Sequence, residues 1–277
     1  MKKRKWSTFF LLLTFFIGLS VLLYPAISNY WNSRTQTQAL VDYESLLEKI
    51  NKEDYTRYFE EAEAYNQKLA SKTFPLVEGV NSNEYYQTLN IAGNGIMGSV
   101  NIDKIGVELP LYHGTSESVL AVAIGHLEGT SLPVGGESTH CVVSAHRGLA
   151  SAKLFTDLDK LEKGDLFQVK VLDKTLTYEV DQIRIVKPNE VEELAIVKGE
   201  DYCTLLTCTP YGINTDRLLV RGTRIKTTEH KTIYVRTEAQ RIDTLIVTPI
   251  VALPILFVLM MIVLFKPVKK DPLGDNL

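Results

Sequence analysis

Thr204-Leu205-Leu206-Thr207-Cys208-Thr209-Pro210-Tyr211-Gly212-Ile213-Asn214-Thr215-Asp216-Arg217-Leu218-Leu219-Val220-Arg221-Gly222 carries the pattern on which the fold turns. Two runs rich in Thr, Leu and Val, residue types that fit a pleated, half-buried surface, flank a polar turn. Pro210, Gly212 and Asn214 break the chain between them. The pattern predicts a hairpin that sets the Cys208 thiol and the Arg217 guanidinium side by side at one sheet edge. A thiol beside a permanent cation points to chemistry on a carbonyl.

Upstream, the same grammar of short β runs and turns extends back to Ile96. Strands are predicted at 97–102, 120–124, 140–145, 166–172, 175–185, 202–208 and 218–225. Runs of this length at short intervals imply a closed or nearly closed β-barrel. Helical turns are expected at 152–161 and 190–197. Before the barrel, Ala39/Leu40, Tyr43, Leu46/Leu47 and Ile50 recur at helical spacing, as do Tyr55, Tyr58/Phe59, Ala62, Tyr65 and Leu69. Asn51 stands where it could cap the second helix. Residues 71–90, with Phe74-Pro75, Gly79 and several Asn and Ser, read as an irregular connector.

Two segments of the 277-residue chain, 6–33 and 244–265, carry no charged side chain. Each exceeds the ~20 apolar residues that cross a bilayer. Lys2, Lys3, Arg4 and Lys5 precede the first, and Lys266, Lys269 and Lys270 follow the second. Both basic clusters read as cytoplasmic, which places 34–243 outside the cell. A cleaved signal peptide with a cut near Ala26 and Ser28 is the competing reading of the first segment, although the apolar stretch is long for one. The expected organisation is a basic start and transmembrane helix at 1–33, a helical region and connector at 34–90, and a catalytic barrel at 91–226. A polar tether at 227–243, a second transmembrane helix at 244–265 and a cytoplasmic tail at 266–277 complete it.

The chain has 30 Lys plus Arg and 33 Asp plus Glu. Setting aside the seven basic residues of the two ends and the tail acids Asp271 and Asp275 leaves 23 against 31, a net of −8. That balance argues against a nucleic-acid partner. Three cysteines in an exported chain leave at least one unpaired, so a functional thiol is expected. Cys203 lies an odd step from Cys208 and faces the other side of its strand, so those two cannot pair. A Cys141–Cys203 disulfide is conceivable, and two free core thiols are the favoured reading. With no Cys-x-x-Cys and no His-x₃-His pair, neither a metal nor a cofactor is expected.

A nucleophilic thiol needs a proton partner. Of the five histidines, His146 stands in Val142-Val143-Ser144-Ala145-His146-Arg147-Gly148, where a strand pattern runs into a glycine turn. It therefore sits at a strand end, as Cys208 does. A free thiol, with a pKa of about 8.5, attacks well only as thiolate, so a nearby cation helps. Arg217 cannot lose its charge and offers a planar fork of donors. Spacing alone does not establish that the two strand ends are neighbours.

The Thr-Leu-x-Thr-Cys element at 204–208 with Arg217 nine residues on, and Ser144-Ala145-His146-Arg147-Gly148 upstream, resemble the sortases, in particular the class C, pilin-polymerising group. Gly125-His126-Leu127-Glu128-Gly129-Thr130-Ser131-Leu132-Pro133 is similar as well, and the resemblance covers about residues 40–225. It implies an eight-stranded barrel with short helices and a Cys–His–Arg site. Cys208 would be the nucleophile, His146 the acid/base and Arg217 the oxyanion stabiliser, with Thr207, Thr209, His126 and Glu128 as substrate-binding candidates. The implied substrate is a pilin or surface protein with a Leu-Pro-x-Thr-Gly-like sorting signal, cut between Thr and Gly. The acyl group would pass from Cys208 to a pilin Lys amine, on the outer face of a Gram-positive cell membrane.

Two departures from that pattern stand out. Class C members usually carry His before the catalytic Arg, where this chain has Asp216. Residue 216 points to the opposite strand face, so the Arg217 role should survive. The class C lid usually holds an Asp-Pro-aromatic element, whereas the Asp-Pro of this chain is Asp271-Pro272. An open site without the usual plug from 71–90 is therefore expected. The competing functions are anchoring of surface proteins to a cell-wall precursor, hydrolytic proteolysis by the same thiol, and a silent membrane-anchored assembly or adhesion module.

Overall fold

The computed structural model describes residues 2–72, 76, 79–227 and nine positions between 252 and 262. Residues 29–231 form one compact unit, and 1–28 with 232–277 group separately. α1 (Lys2–Leu47) joins the first apolar segment and the following helical pattern into one helix, with Pro25 inside it. Its stretch Phe9–Leu47 is the one helix among the described residues long and apolar enough to cross a membrane. Of the second expected span, the described positions between 252 and 262 are helical, and the span as a whole lies outside the described residues.

Within the compact unit, α1 is fastened by polar and apolar contacts. Asn32 Nδ2 donates to Ser151 O at 2.9 Å, Gln36 Nε2 to Val122 O at 2.6 Å and Tyr43 Oη to Met97 O at 2.8 Å. Burial pushes the Tyr43 hydroxyl up to about 12, so it stays a donor. α2 (Lys52–Ala70) buries Tyr55, Phe59, Ala62, Tyr65 and Leu69, the i, i+3/i+4 stripe of its sequence. The connector is less irregular than its composition implies. It contains α3 (Ser82–Gln87), which completely buries Tyr85.

Eight strands close into a barrel: β1 (Ile96–Ile102), β2 (Val107–His113), β3 (Ile124–His126), β4 (Thr139–Ser144), β5 (Leu166–Val171), β6 (Lys174–Val186), β7 (Asp201–Thr209) and β8 (Asp216–Ile225). The spatial order is β1-β2-β3-β4-β7-β8-β6-β5, and β5 pairs back to β1. The β2–β3 and β4–β7 pairs are parallel and the other six antiparallel. Period-2 alternation sends Cys141, Val143, Cys203, Leu205, Leu218 and Val220 into the main core. Phe167 stacks on Tyr178 with ring centroids 5.5 Å apart. A Cβ at Gly222 would lie 2.6 Å from the Phe167 ring, so this position needs glycine.

β2 is absent from the sequence expectation because Pro110 interrupts its pattern. The barrel tolerates the proline because β3 pairs with β2 only from Leu111 onward, leaving that edge open at residue 110. The strand expected at 120–124 is instead a helical turn, α4 (Glu117–Leu120), capped by Ser116, followed by β3. The helical turns expected at 152–161 and 190–197 shorten to 3-10 turns at Leu158–Lys160 and Glu192–Leu194. All three cysteines are free.

Candidate active site

Strand register assembles the site. Cys208 on β7 faces Arg217 on β8 as a directly opposed pair, which brings Cβ atoms within about 5 Å. On the other flank β4 and β7 run parallel, with Ser144 opposite Leu206. The pairing continues past β4, because Ala145 N donates to Leu206 O at 3.2 Å and Thr207 Oγ1 donates to Ala145 O at 2.8 Å. Carried two residues beyond Ser144, that register would set His146 against Cys208. His146, Cys208 and Arg217 thus stand in a row across three adjacent strand ends, and all three are partly exposed.

The hairpin turn folds back onto Arg217. Its Nη1 donates to Asn214 O at 3.3 Å and to Asp216 O at 3.1 Å. Among the described residues the rest of the guanidinium fork has no partner, so donors remain for a developing oxyanion. Asp216 turns its carboxylate to Lys187 and to Thr215 Oγ1, which donates at 2.8 Å. The Lys187 ammonium holds the Asp216 carboxyl below its usual range.

A buried apolar cluster that the motifs did not reveal lies beside the row and forms its floor. Val142, Leu206 and Leu219 stand on the outer faces of β4, β7 and β8, each an even step from His146, Cys208 or Arg217. Leu127, Val186 and Leu194 extend this apolar surface. Leu76 of the connector packs on it, with Cδ2 3.2 Å from where a Gly129 side chain would begin. The connector therefore reaches the floor beside the row at Leu76, and the expectation that no aromatic of 71–90 plugs Cys208 falls partly on residues outside the described ones. Phe74 and Pro75 lie outside the described residues. A signal for the floor was present in the alternate Leu and Val of 204–222, whose second face also needed an apolar partner.

The four substrate-binding candidates occupy structural positions instead. His126 is fully buried. Its Nε2 donates to Ser131 O at 2.8 Å, and its Nδ1 accepts from Tyr85 Oη at 2.9 Å. Glu128 accepts from Ser82 Oγ at 2.6 Å at the start of α3. Together they fasten the connector to the barrel. Thr207 is buried in the hydrogen bond to Ala145 O, and Thr209 Oγ1 accepts from Arg147 Nη1 at 3.3 Å. Thr207 and Thr209 face the barrel side of β7, opposite to Cys208, so parity alone argues against direct substrate contact.

The other two cysteines form a second, enclosed group. Cys141 and Cys203 are directly opposed on β4 and β7. Each thiol is in hydrogen-bonding reach of the other, and His126 reaches Cys141. Burial is the largest influence on both thiols and pushes Cys203 well up, while Cys203 and His126 beside Cys141 pull that thiol down to about 6.

Residues 100–225 match the sequence model of the family described as "Sortase domain". The structure is similar to that of sortase C1 from Streptococcus agalactiae, with TM-score 0.66 and 48% identity over 69% of this chain and all of that one. It is also similar to Streptococcus pneumoniae sortase C, described with insights into catalysis and pilin substrate specificity, with TM-score 0.60 and 44% identity over 68% and 96%. Among curated relatives, "Sortase A" of Streptococcus agalactiae serotype III (strain NEM316) is 29% identical over 140 residues, 50% of this chain. That match spans 56% of the curated relative's own length.

Proposed function

Because the chain belongs to the sortase family of cysteine transpeptidases, we propose that it cleaves a Leu-Pro-x-Thr-Gly-like sorting signal and passes the acyl group to a pilin Lys amine. The observation that carries this reading is the register that lines up His146, Cys208 and Arg217 beside an apolar floor. The partly exposed edge of that floor, at Leu206 and Leu127, suits the Leu and Pro side chains of such a signal. Cys208 Sγ, its proton passed to His146, attacks the Thr carbonyl, and Arg217 donates to the oxyanion. Collapse breaks the Thr–Gly bond, with the His146 proton going to the departing amine. The thioester keeps the acyl group activated, so an amine can take it without ATP. A deprotonated Lys amine then attacks, and Cys208 leaves as the thiol.

The barrel at 91–226 performs catalysis in this reading. The segments 1–33 and 244–265 tether it, through 227–243, at the outer face of a Gram-positive membrane. Similarity to sortases of class C favours a pilin amine over a wall precursor as acceptor.

Intact-mass analysis of the full chain in detergent tests the proposal, with a sorting peptide and a Lys-bearing pilin fragment present. The expected result is an acyl adduct on Cys208 that discharges onto the Lys amine, and no adduct on Cys208→Ala. Discharge only to water or to a wall-type amine would replace the polymerising function with hydrolysis or anchoring. Activity retained by Cys208→Ala would remove the catalytic reading altogether.

A further inference from the structure

Residues immediately after the two reacting side chains are tied to each other. Arg147 follows His146, and Thr209 follows Cys208. Arg147 Nη1 donates to Thr209 Oγ1 at 3.3 Å, and Nη2 donates to the Asp159 carboxylate in the 3-10 turn Leu158–Lys160. The guanidinium carbon also lies 6.0 Å from the centroid of the Tyr211 ring. The side chain is only 9% exposed. One arginine therefore spans the loop that carries His146, the end of β7 beyond Cys208, and a third segment that braces both.

Neighbouring contacts make the junction specific. Gly148 has φ +75°, and a Cβ there would lie 2.9 Å from the Tyr211 ring, so the two loops touch at backbone distance. His146 O accepts from Phe155 N at 3.1 Å, and Gly148 N donates to Thr156 Oγ1 at 3.1 Å. The His146 loop is thus closed on itself, and Arg147 and the Tyr211 ring on Gly148 join it to the hairpin after Cys208. Arg147 Nε is buried with no hydrogen-bond partner among the described residues. A side chain held for stability alone would favour full satisfaction, whereas here the fork is placed to reach two loops.

We propose that Arg147 is a positioning residue that sets the separation and orientation of His146 relative to Cys208. It touches neither substrate nor reacting atoms and acts through the backbone of the two loops. The assignment of what is being positioned rests on the transpeptidase reading above. Lysine cannot replace the arginine, because a single ammonium cannot reach Thr209 and Asp159 together.

The test compares wild type, Arg147→Lys and Thr209→Val as full chains in detergent. The measurements are kcat and KM with a sorting peptide, thermal midpoint, and the pH profile of Cys208 alkylation by iodoacetamide. In Arg147→Lys the expected result is a near-native midpoint, a KM within about twofold, and a kcat lower by about 10- to 100-fold, the effect of misplacing a reacting group by about 1 Å. The alkylation profile should also move along the pH axis. Thr209→Val should show a smaller effect in the same direction. A native kcat with a superimposable alkylation profile in folded Arg147→Lys would overturn the proposal, as would losses in kcat that only follow a falling midpoint. If wild type alkylates at Cys208 yet accepts no peptide, the functional reading fails, while the alkylation profiles still decide whether Arg147 sets the thiol's surroundings.

Discussion

The barrel brings thiols and imidazoles close twice, once inside, on β3, β4 and β7, and once at its rim, at the ends of β4 and β7. Inside, Cys141, Cys203 and His126 are buried, with both His126 nitrogens occupied. At the rim, Cys208 and His146 stand on the outer face, partly exposed, with Arg217 next in line. The residue types are the same, but the inner imidazole comes from β3 and the outer one from just beyond β4. A one-residue change of parity and a few residues of position along the strand separate an inert core from a candidate nucleophile. The contrast follows from solvation, because a thiolate in the core would lose water that a thiolate at the rim keeps.

The largest expected difference is in thiol reactivity. In the native protein at pH 8, iodoacetamide should modify Cys208 at least ~10³-fold faster than Cys141 or Cys203, and all three should react equally in denaturant. Peptide mass mapping over time reads the ratio. Comparable native rates would erase the distinction between core and rim. A second difference concerns the cation. Arg217→Lys should lower the acylation rate by about 10²-fold with little change in thermal midpoint, because a point charge replaces an oriented fork. Stopped-time mass spectrometry measures this, and a near-native rate would mean that charge alone suffices at the rim.

A third difference sets the buried His140 imidazole apart by pH. His140 donates or accepts at both nitrogens, to Ala195 O at 2.9 Å and Thr204 Oγ1 at 2.8 Å. Burial pushes its pKa down from 6.5 to about 4. The unfolded chain therefore binds the proton first as pH falls, so the contribution is complete above about 6.5 and is lost between about 6.5 and 4. It amounts to about 3 kcal/mol. Urea melts across that range should show the decline, and His140→Gln should flatten most of it. His113, also lowered by burial, would leave a residual slope. An equally steep profile in the variant would place the titration elsewhere.

Legibility followed the range of the interactions involved. Local alternation around 204–222 showed β7, the turn and β8, since strand periodicity is written into consecutive residues. It failed at β2, where the local penalty of Pro110 hid a strand whose tolerance depends on how far β3 extends. His126 and Glu128 looked functional because they sit in a polar, glycine-rich run. Their partners Tyr85 and Ser82 lie more than forty positions upstream, and no local pattern joins them. The connector looked irregular for the same reason, since α3 is held by burial of Tyr85 and not by helix propensity.

By itself the sequence determined the class of fold, the apolar first helix, the thiol and its facing arginine, and the family resemblance. Each of these depends on residue type and on spacing within one or two adjacent elements. Tertiary structure decided the rest: that β4 runs parallel to β7 in the register that sets His146 against Cys208, that Val142, Leu206 and Leu219 make a floor with Leu76 upon it, and that Arg147 bridges the two loops. Parallel register and loop-to-loop contacts join residues sixty or more positions apart. They are set by closure of the whole barrel, a cooperative property that no single stretch of the chain encodes.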